Sequence, residues 1–108
     1  MKIWTVIGTR PEAIKLAPVV MRLADEPGIE QRVVLSGQHR ELLYAALDVF
    51  GIKSHIDLAL MRAGQQPGEL LGRAVLGFDP LLEADRPDWI IVQGDTTTAA
   101  AASLAAFY

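Results

Sequence analysis

Residues 3–15 read IWTVIGTRPEAIK, and this stretch joins an apolar strand pattern to a helical one. Residues 3–7 have the continuous apolar character of a strand that is covered on both faces. Thr9 is predicted to be the helix N-cap, Pro11 suits the first turn, and Glu12 favours the positive helix end. A strand that passes through glycine into a helix predicts an α/β sheet with its ligand site beyond the strand's carboxyl end.

The rest of the chain continues this alternation of strand and helix. Further strands are predicted at residues 31–36, 55–60 and 89–92, and helices at residues 10–25, 41–50, 70–84 and 97–108. The order β-α-β-α-β-α-β-α predicts a Rossmann-like, three-layer parallel sheet with right-handed crossovers. We expect the first and fourth strands to be neighbours near its centre.

Composition excludes several classes of protein. The chain has 108 residues, of which 51% are hydrophobic, and its formal net charge is -3. This charge argues against a general nucleic-acid binder. The absence of cysteine excludes disulfides, thiolate metal sites and cysteine nucleophiles. No apolar run approaches the roughly 20 residues that a membrane span needs, so we expect no membrane partner and a cytoplasmic location.

The first motif, GTRPEAIK at residues 8–15, has the makings of an anion site. Gly8 permits a tight turn, the helix start offers N–H groups, and Arg10 can grip two oxygens at once. Lys15 lies about one turn into the helix. The motif is neither a P-loop nor a dinucleotide fingerprint, and it suits a phosphate-bearing substrate. The alternative is a capped helix start with Arg10 and Lys15 in solvent.

The second motif is GDTTT at residues 94–98, after the fourth predicted strand. The Asp95 carboxylate can take a proton from a hydroxyl, hold an arginine or bind a metal, and Thr96 can cap the next helix and donate to a ligand. The alternative is that Asp95 itself is the helix cap. Because the first and fourth strands are predicted neighbours, both motifs should meet in one crevice.

The other polar and aromatic residues are expected to be structural or solvated. His39 is either a surface hydrogen-bonding residue or a ligand contact. No pair of histidines has metal-ligand spacing, and no Ser-His-Asp set is discernible, so no metal site is predicted. We expect Trp4 and Trp89 to lie in the core, His55 to be structural, and Asp85, Arg86 and Asp88 to be solvated.

Four segments together resemble the start of the UDP-N-acetylglucosamine 2-epimerases: GTRPEAIK at 8–15, GQHR at 37–40, GDTTT at 94–98 and SLAAFY at 103–108. The resemblance implies interconversion of UDP-N-acetylglucosamine and UDP-N-acetylmannosamine without a nicotinamide or other cofactor. It implies two Rossmann-like domains in a GT-B arrangement, with this chain as part of the N-terminal domain and the C-terminal domain absent from it. It also implies a homodimer for the full-length enzyme, in bacterial polysaccharide synthesis.

The resemblance also carries residue roles. It implies catalytic roles for Arg10, Lys15 and Asp95, and substrate-binding roles for Gly8, Thr9, Arg10 and Thr96. In relatives regulated by their substrate, the positions of Gln38, His39 and Gln65 contact a second UDP-sugar. Gly64 and Glu41 replace an arginine and a glutamine found in some of those relatives, which argues against such regulation here.

Two alternatives remain open beside the epimerase interpretation. One is the hydrolysing branch of the family, which releases UDP and free N-acetylmannosamine. The other is a free-standing module that binds a UDP-sugar or serves in assembly, because fold alone does not decide function. Family members are several times longer, so we expect this chain by itself to be an inactive N-terminal piece.

Overall fold

A computed structural model describes residues 1–37, 40–60 and 62–108, with Arg40 described by its backbone alone. Four parallel strands form one sheet in the order β3-β2-β1-β4, and the helices connect them. The elements are β1 (Lys2–Ile7), α1 (Arg10–Ala24), β2 (Glu30–Leu35), α2 (Arg40–Phe50), β3 (Ile56–Asp57), α3 (Pro67–Asp85), β4 (Trp89–Ile91) and α4 (Thr97–Phe107).

Apolar side chains cover both faces of the sheet. Trp4 and Val6 of β1 pack with Phe78 of α3 and with the alanines of α4. Ile7 packs on the other face with α1 and α2, where Leu16 and Leu43 are buried. Phe78 is fully buried, which stabilises the fold by about 1.5–3 kcal/mol. The predicted three-layer α/β fold is therefore confirmed.

The neighbours of β1 set the position of the two motifs. β1 pairs with β4 in the register Ile3↔Trp89 and Thr5↔Ile91, so the predicted contact of first and fourth strands is confirmed. Within the described part of the chain β1 is an inner strand and β4 is the edge strand, so the expectation that both lie near the centre is half right. The carboxyl ends of β1 and β4 still lie side by side.

The third strand is much shorter than the predicted span of residues 55–60. Ile56 and Asp57 form the regular strand that pairs with β2. Ala59 then takes a left-handed backbone conformation with φ of 50°, and its N–H donates to Asp57 Oδ1 at 2.9 Å. The left-handed residue ends the regular strand, although the Leu58 and Leu60 N–H groups still donate to the Leu35 and Ser36 carbonyls at 2.9 Å. The third helix begins earlier than predicted, at Pro67, since proline fits a first helical turn.

Two expectations about aromatic and acidic residues are corrected by the packing. Trp4 is buried as predicted, but Trp89 is 64% exposed because it begins an edge strand. Asp85 is not simply solvated: Oδ1 pairs with Lys2 Nζ at 2.7 Å, and Oδ2 accepts from Trp4 Nε1 at 2.6 Å. Asp85 thus ties the end of α3 to the first strand.

None of the described helices is long and apolar enough to cross a membrane.

We predict that Asp85→Asn destabilises the chain at neutral pH and has little effect in acid. The hydrogen bonds from Lys2 and then Trp4 hold the Asp85 pKa below its ordinary value of 3.8, although partial burial opposes them. A lowered folded-state pKa adds stability above pH 3.8, and this stability is lost as the pH falls through the folded value. We expect a loss of about 1–2 kcal/mol at pH 7.

Urea unfolding of both chains, followed by circular dichroism from pH 7 to pH 2.5, measures this difference. The two stabilities should converge at the acid end. The matched control is Asp79→Asn, also in α3, whose side chain is exposed. A gap between Asp85→Asn and the unmodified chain that is independent of pH would contradict the proposed ion pair.

Candidate functional site

The two sequence motifs meet at the carboxyl edge of the sheet, which here means the ends of β1, β2 and β4. Gly8 follows β1, and a Cβ atom placed on it would lie 2.6 Å from Thr98 Cβ and 3.0 Å from Ser36 Oγ. No side chain fits such a space. Gly8 therefore allows the first turn to touch the start of α4, and the predicted convergence of both motifs is observed.

A buried pair of hydroxyl groups fastens this junction. Ser36 Oγ and Thr98 Oγ1 are 2.8 Å apart, and both residues are almost completely buried. Ser36 lies directly after β2, so the pair joins the end of that strand to the first turn of α4. Sequence reasoning assigned no role to Ser36, although a serine directly after a buried strand marks a polar group at the ligand edge.

The first helical turn of α1 differs from the predicted open anion site. Thr9 occupies the N-cap position, but its side chain accepts no bond from the helix. Instead Glu12 is buried, with 2% exposure, and its carboxylate reaches back across the turn. Oε1 accepts the Gly8 N–H and Oε2 accepts the Thr9 hydroxyl, both at 2.9 Å. The Gly8 N–H is thus used internally rather than offered to a ligand.

The second motif presents its carboxylate to solvent. Gly94 has φ of 83°, a conformation that favours glycine, and it turns the chain after β4. Thr96 is the N-cap of α4, and its side-chain oxygen accepts the Ala99 N–H at 3.3 Å. Asp95 is exposed and is not the cap, so the alternative that it merely caps the helix is wrong. Its carboxylate stays available at the carboxyl edge.

Both predicted cations of the first motif are exposed. Arg10 is the first residue of α1 and lines an apolar groove between α1 and α2, beside Ile14, Leu42 and Val49. Lys15 lies one turn further along α1 and is also exposed. Neither position contradicts a role at the edge of the sheet, and the catalytic assignment of both residues stays a prediction.

The predicted effector residues divide into two groups. Gln38 and His39 lie outside the described residues. Gln65 is half-buried before α3, where its side-chain oxygen accepts from Arg73, whose Nη2 also donates to the Leu60 carbonyl at 2.8 Å. Gln65 thus has an internal partner. Residues 1–37, 40–60 and 62–108 contain no cluster of three or more potential metal-ligating side chains.

His55 has the structural place that the sequence predicted. Its Nδ1 accepts the Val33 N–H at 2.8 Å, and its own N–H donates to the Val33 carbonyl at 2.8 Å. These two bonds continue the pairing of β2 beyond the short third strand. The histidine lies directly before β3 and beside the middle of β2, so it does not belong to the two motifs.

Comparison with known proteins matches this chain over its whole length. Residues 21–108 match the family model described as UDP-N-acetylglucosamine 2-epimerase. A Yersinia pestis protein of that name is 51% identical over all 108 residues, which make up 29% of its length. The first motif lies outside the region matched by the family model but inside this alignment.

Solved structures show the same backbone. A Neisseria meningitidis UDP-GlcNAc 2-epimerase bound to UDP-GlcNAc has a TM-score of 0.95 and 46% identity, and the chain covers 29% of it. A Methanocaldococcus jannaschii enzyme, in complex with UDP-GlcNAc and UDP, has a TM-score of 0.90 and 28% identity. The match covers 100% of this chain in the first case and 98% in the second, but less than a third of either relative. The family match and these alignments lead to one conclusion: the chain belongs to the UDP-N-acetylglucosamine 2-epimerase family.

Proposed function

We propose that this chain supplies one wall of an active site that interconverts UDP-N-acetylglucosamine and UDP-N-acetylmannosamine. The observation that carries the proposal is the contact of Gly8 with Thr98, which brings the two motifs to one edge of the sheet. Relatives that match at least 98% of the chain have structures with UDP-GlcNAc, alone or together with UDP, bound. Residues 1–108 then form part of an N-terminal Rossmann-like domain, and a second domain supplies the other wall of the cleft.

The proposed reaction breaks and re-forms one bond to the nucleotide. The C2 proton is removed and the bond between C1 and the diphosphate oxygen breaks, which leaves 2-acetamidoglucal and UDP. UDP then adds back to C1, and a proton is delivered to the opposite face of C2. Electrons and atoms balance without a redox cofactor, so a UDP-sugar is the only ligand this chemistry needs.

Three exposed charged residues of the two motifs have roles in this scheme. Arg10 and Lys15 stabilise the negative charge that develops on the departing diphosphate. Asp95 takes part in proton transfer at the sugar or positions the group that does. The Thr9 hydroxyl donates to Glu12, so its oxygen serves the substrate as an acceptor, whereas the Thr96 hydroxyl, which accepts the Ala99 N–H, serves as a donor. None of these roles requires a metal ion.

A chimera tests the proposal. This chain replaces the matching 29% of the Neisseria meningitidis enzyme, which is 46% identical to it. Proton NMR of the sugar anomeric signals then follows UDP-N-acetylglucosamine over time. We expect interconversion by the chimera and none by the isolated 108-residue chain. A chimera that folds, binds UDP and does not turn over would overturn the proposal.

The same spectra distinguish the two alternatives. Accumulation of UDP and free N-acetylmannosamine identifies the hydrolysing branch. Calorimetric titration of the isolated chain with UDP-N-acetylglucosamine tests the free-standing module, which should bind by itself. The epimerase proposal predicts weak or absent binding, because a cleft with one wall buries little of the ligand.

We also propose that the complete protein forms a homodimer. The support is the apolar groove between α1 and α2, in which Leu42 is 61% and Val49 is 81% exposed. Exposed apolar surface of this kind marks an interaction site. Light scattering of the chimera and of its Val49→Glu variant tests this groove: a monomeric variant supports it, and an unchanged dimer places the interface elsewhere.

A further inference from the structure

The carboxylate of Glu12 is a buried acidic group at the carboxyl edge that no step of the proposed reaction uses. It is 2% exposed, and both oxygens are engaged by the turn between β1 and α1. Burial of a carboxylate costs free energy unless hydrogen bonds and nearby positive charge compensate it. The two bonds and the positive end of α1 supply this compensation.

The position of these bonds matters for the neighbouring cation. Gly8 and Thr9 are the two residues that precede Arg10, and Glu12 follows it by two. Glu12, which follows Arg10 in the chain, therefore fixes the backbone of the two residues that precede Arg10. Arg10 itself is exposed and begins the helix, so the turn before it sets the direction in which its side chain leaves the backbone.

We infer that Glu12 is a positioning residue for the proposed reaction: its two hydrogen bonds close the Gly8–Thr9 turn and set the direction of the Arg10 guanidinium. The inference rests on the proposed function. It also implies that the substrate diphosphate is not bound by the Gly8 N–H, since Glu12 already occupies that donor. Binding of the substrate diphosphate then depends on positively charged side chains rather than on the backbone N–H groups of this turn.

Three substitutions separate geometry from charge. Glu12→Gln keeps the length of the side chain, and its amide can accept the Gly8 N–H and donate to the Thr9 hydroxyl. Glu12→Asp keeps the charge but is one methylene shorter, so it cannot reach both groups. Glu12→Ala removes both features. The matched control is Glu69→Asp, because Glu69 is an exposed acid in the first turn of α3.

The first readout needs no activity. Hydrogen exchange of the Gly8 amide, followed by NMR in the 108-residue chain, reports whether its N–H remains bonded. We expect exchange in Glu12→Gln to stay close to that of the unmodified chain and to accelerate in Glu12→Asp. Fast exchange at Gly8 in the unmodified chain would overturn the inference at its structural step.

The second readout is the kinetics of the same variants in the chimera. We expect Glu12→Asp and Glu12→Ala to lower kcat about 10- to 100-fold, as a misplaced catalytic group does. Glu12→Gln should recover kcat to within about threefold of the unmodified chimera, and KM should change less than kcat in all three. If the reaction required the negative charge of Glu12, Glu12→Gln would not recover kcat. Recovery of kcat by glutamine therefore supports a role through hydrogen bonds.

The possible failures are distinguishable. An unmodified chimera without turnover would contradict the proposed function itself. An active chimera in which all three variants keep kcat overturns the positioning role alone. An active chimera in which glutamine is as damaging as alanine also overturns it, because the carboxylate charge rather than the closed turn would then be required.

Discussion

Asp95→Asn should lower the turnover of the chimera by about 100- to 10,000-fold, which is the usual range for loss of a group in proton transfer. Asp95 is exposed and makes no hydrogen bond or ion pair among the described residues. The change from carboxylate to amide therefore removes basicity without removing a structural contact. We expect the free energy of unfolding to stay within about 0.5 kcal/mol of the unmodified value.

Initial rates by NMR and urea unfolding by circular dichroism measure the two quantities on the same samples. Asp79→Asn is the matched control, since Asp79 is also exposed but lies in α3, away from the two motifs. It should leave both the rate and the stability unchanged. Near-normal turnover in Asp95→Asn would remove Asp95 from the chemistry, whatever its effect on stability.

Gly8→Ala should destabilise the 108-residue chain by about 1–3 kcal/mol, the range found when extra atoms are forced into a packed interior. The added Cβ would lie 2.6 Å from Thr98 Cβ, and 3.0 Å from Ser36 Oγ. Thr98 is held in the first turn of α4 and cannot retreat without moving that helix. In the chimera the same shift should separate the two motifs, so both the activity and the free energy of unfolding should fall.

A second glycine provides the control for this prediction. Gly72 lies inside α3, and apart from its chain neighbours and the nearby backbone of its own helix no atom lies within 4 Å of where its Cβ would be, so Gly72→Ala should stabilise the chain by about 0.5–1 kcal/mol. Equal stability of the Gly8→Ala and unmodified chains would show that the two turns do not touch.

Much of the fold follows from local patterns. The apolar run of β1, the end of α2 at residue 50 and the threonine cap of α4 each depend on a few neighbouring residues, and each prediction agrees with the structure. The alternation of strands and helices then leaves few topologies for a parallel sheet. For this reason the amino-acid sequence alone was enough to predict the contact of β1 with β4 and the edge where the motifs lie.

The errors concern residues whose place depends on distant partners. Trp89 is a large aromatic residue in a predicted strand, which is typical of the core, but it is exposed because β4 is the edge strand among the described residues. Asp85 ends a helix, like many solvated acids, yet Lys2 and Trp4, more than 80 residues away along the chain, bind it. No local pattern contains that information.

At the carboxyl edge of the sheet, too, some features follow from the local sequence and others depend on distant contacts. Which residues stand there, Gly8, Arg10 and Asp95 among them, follows from their order after buried strands. What each one does there depends on packing: Gly8 is small because Thr98 leaves no room, and Glu12 is buried because the turn before it folds onto its carboxylate. Local propensities act through neighbouring residues, whereas space and burial depend on chain segments that meet only when the sheet has formed.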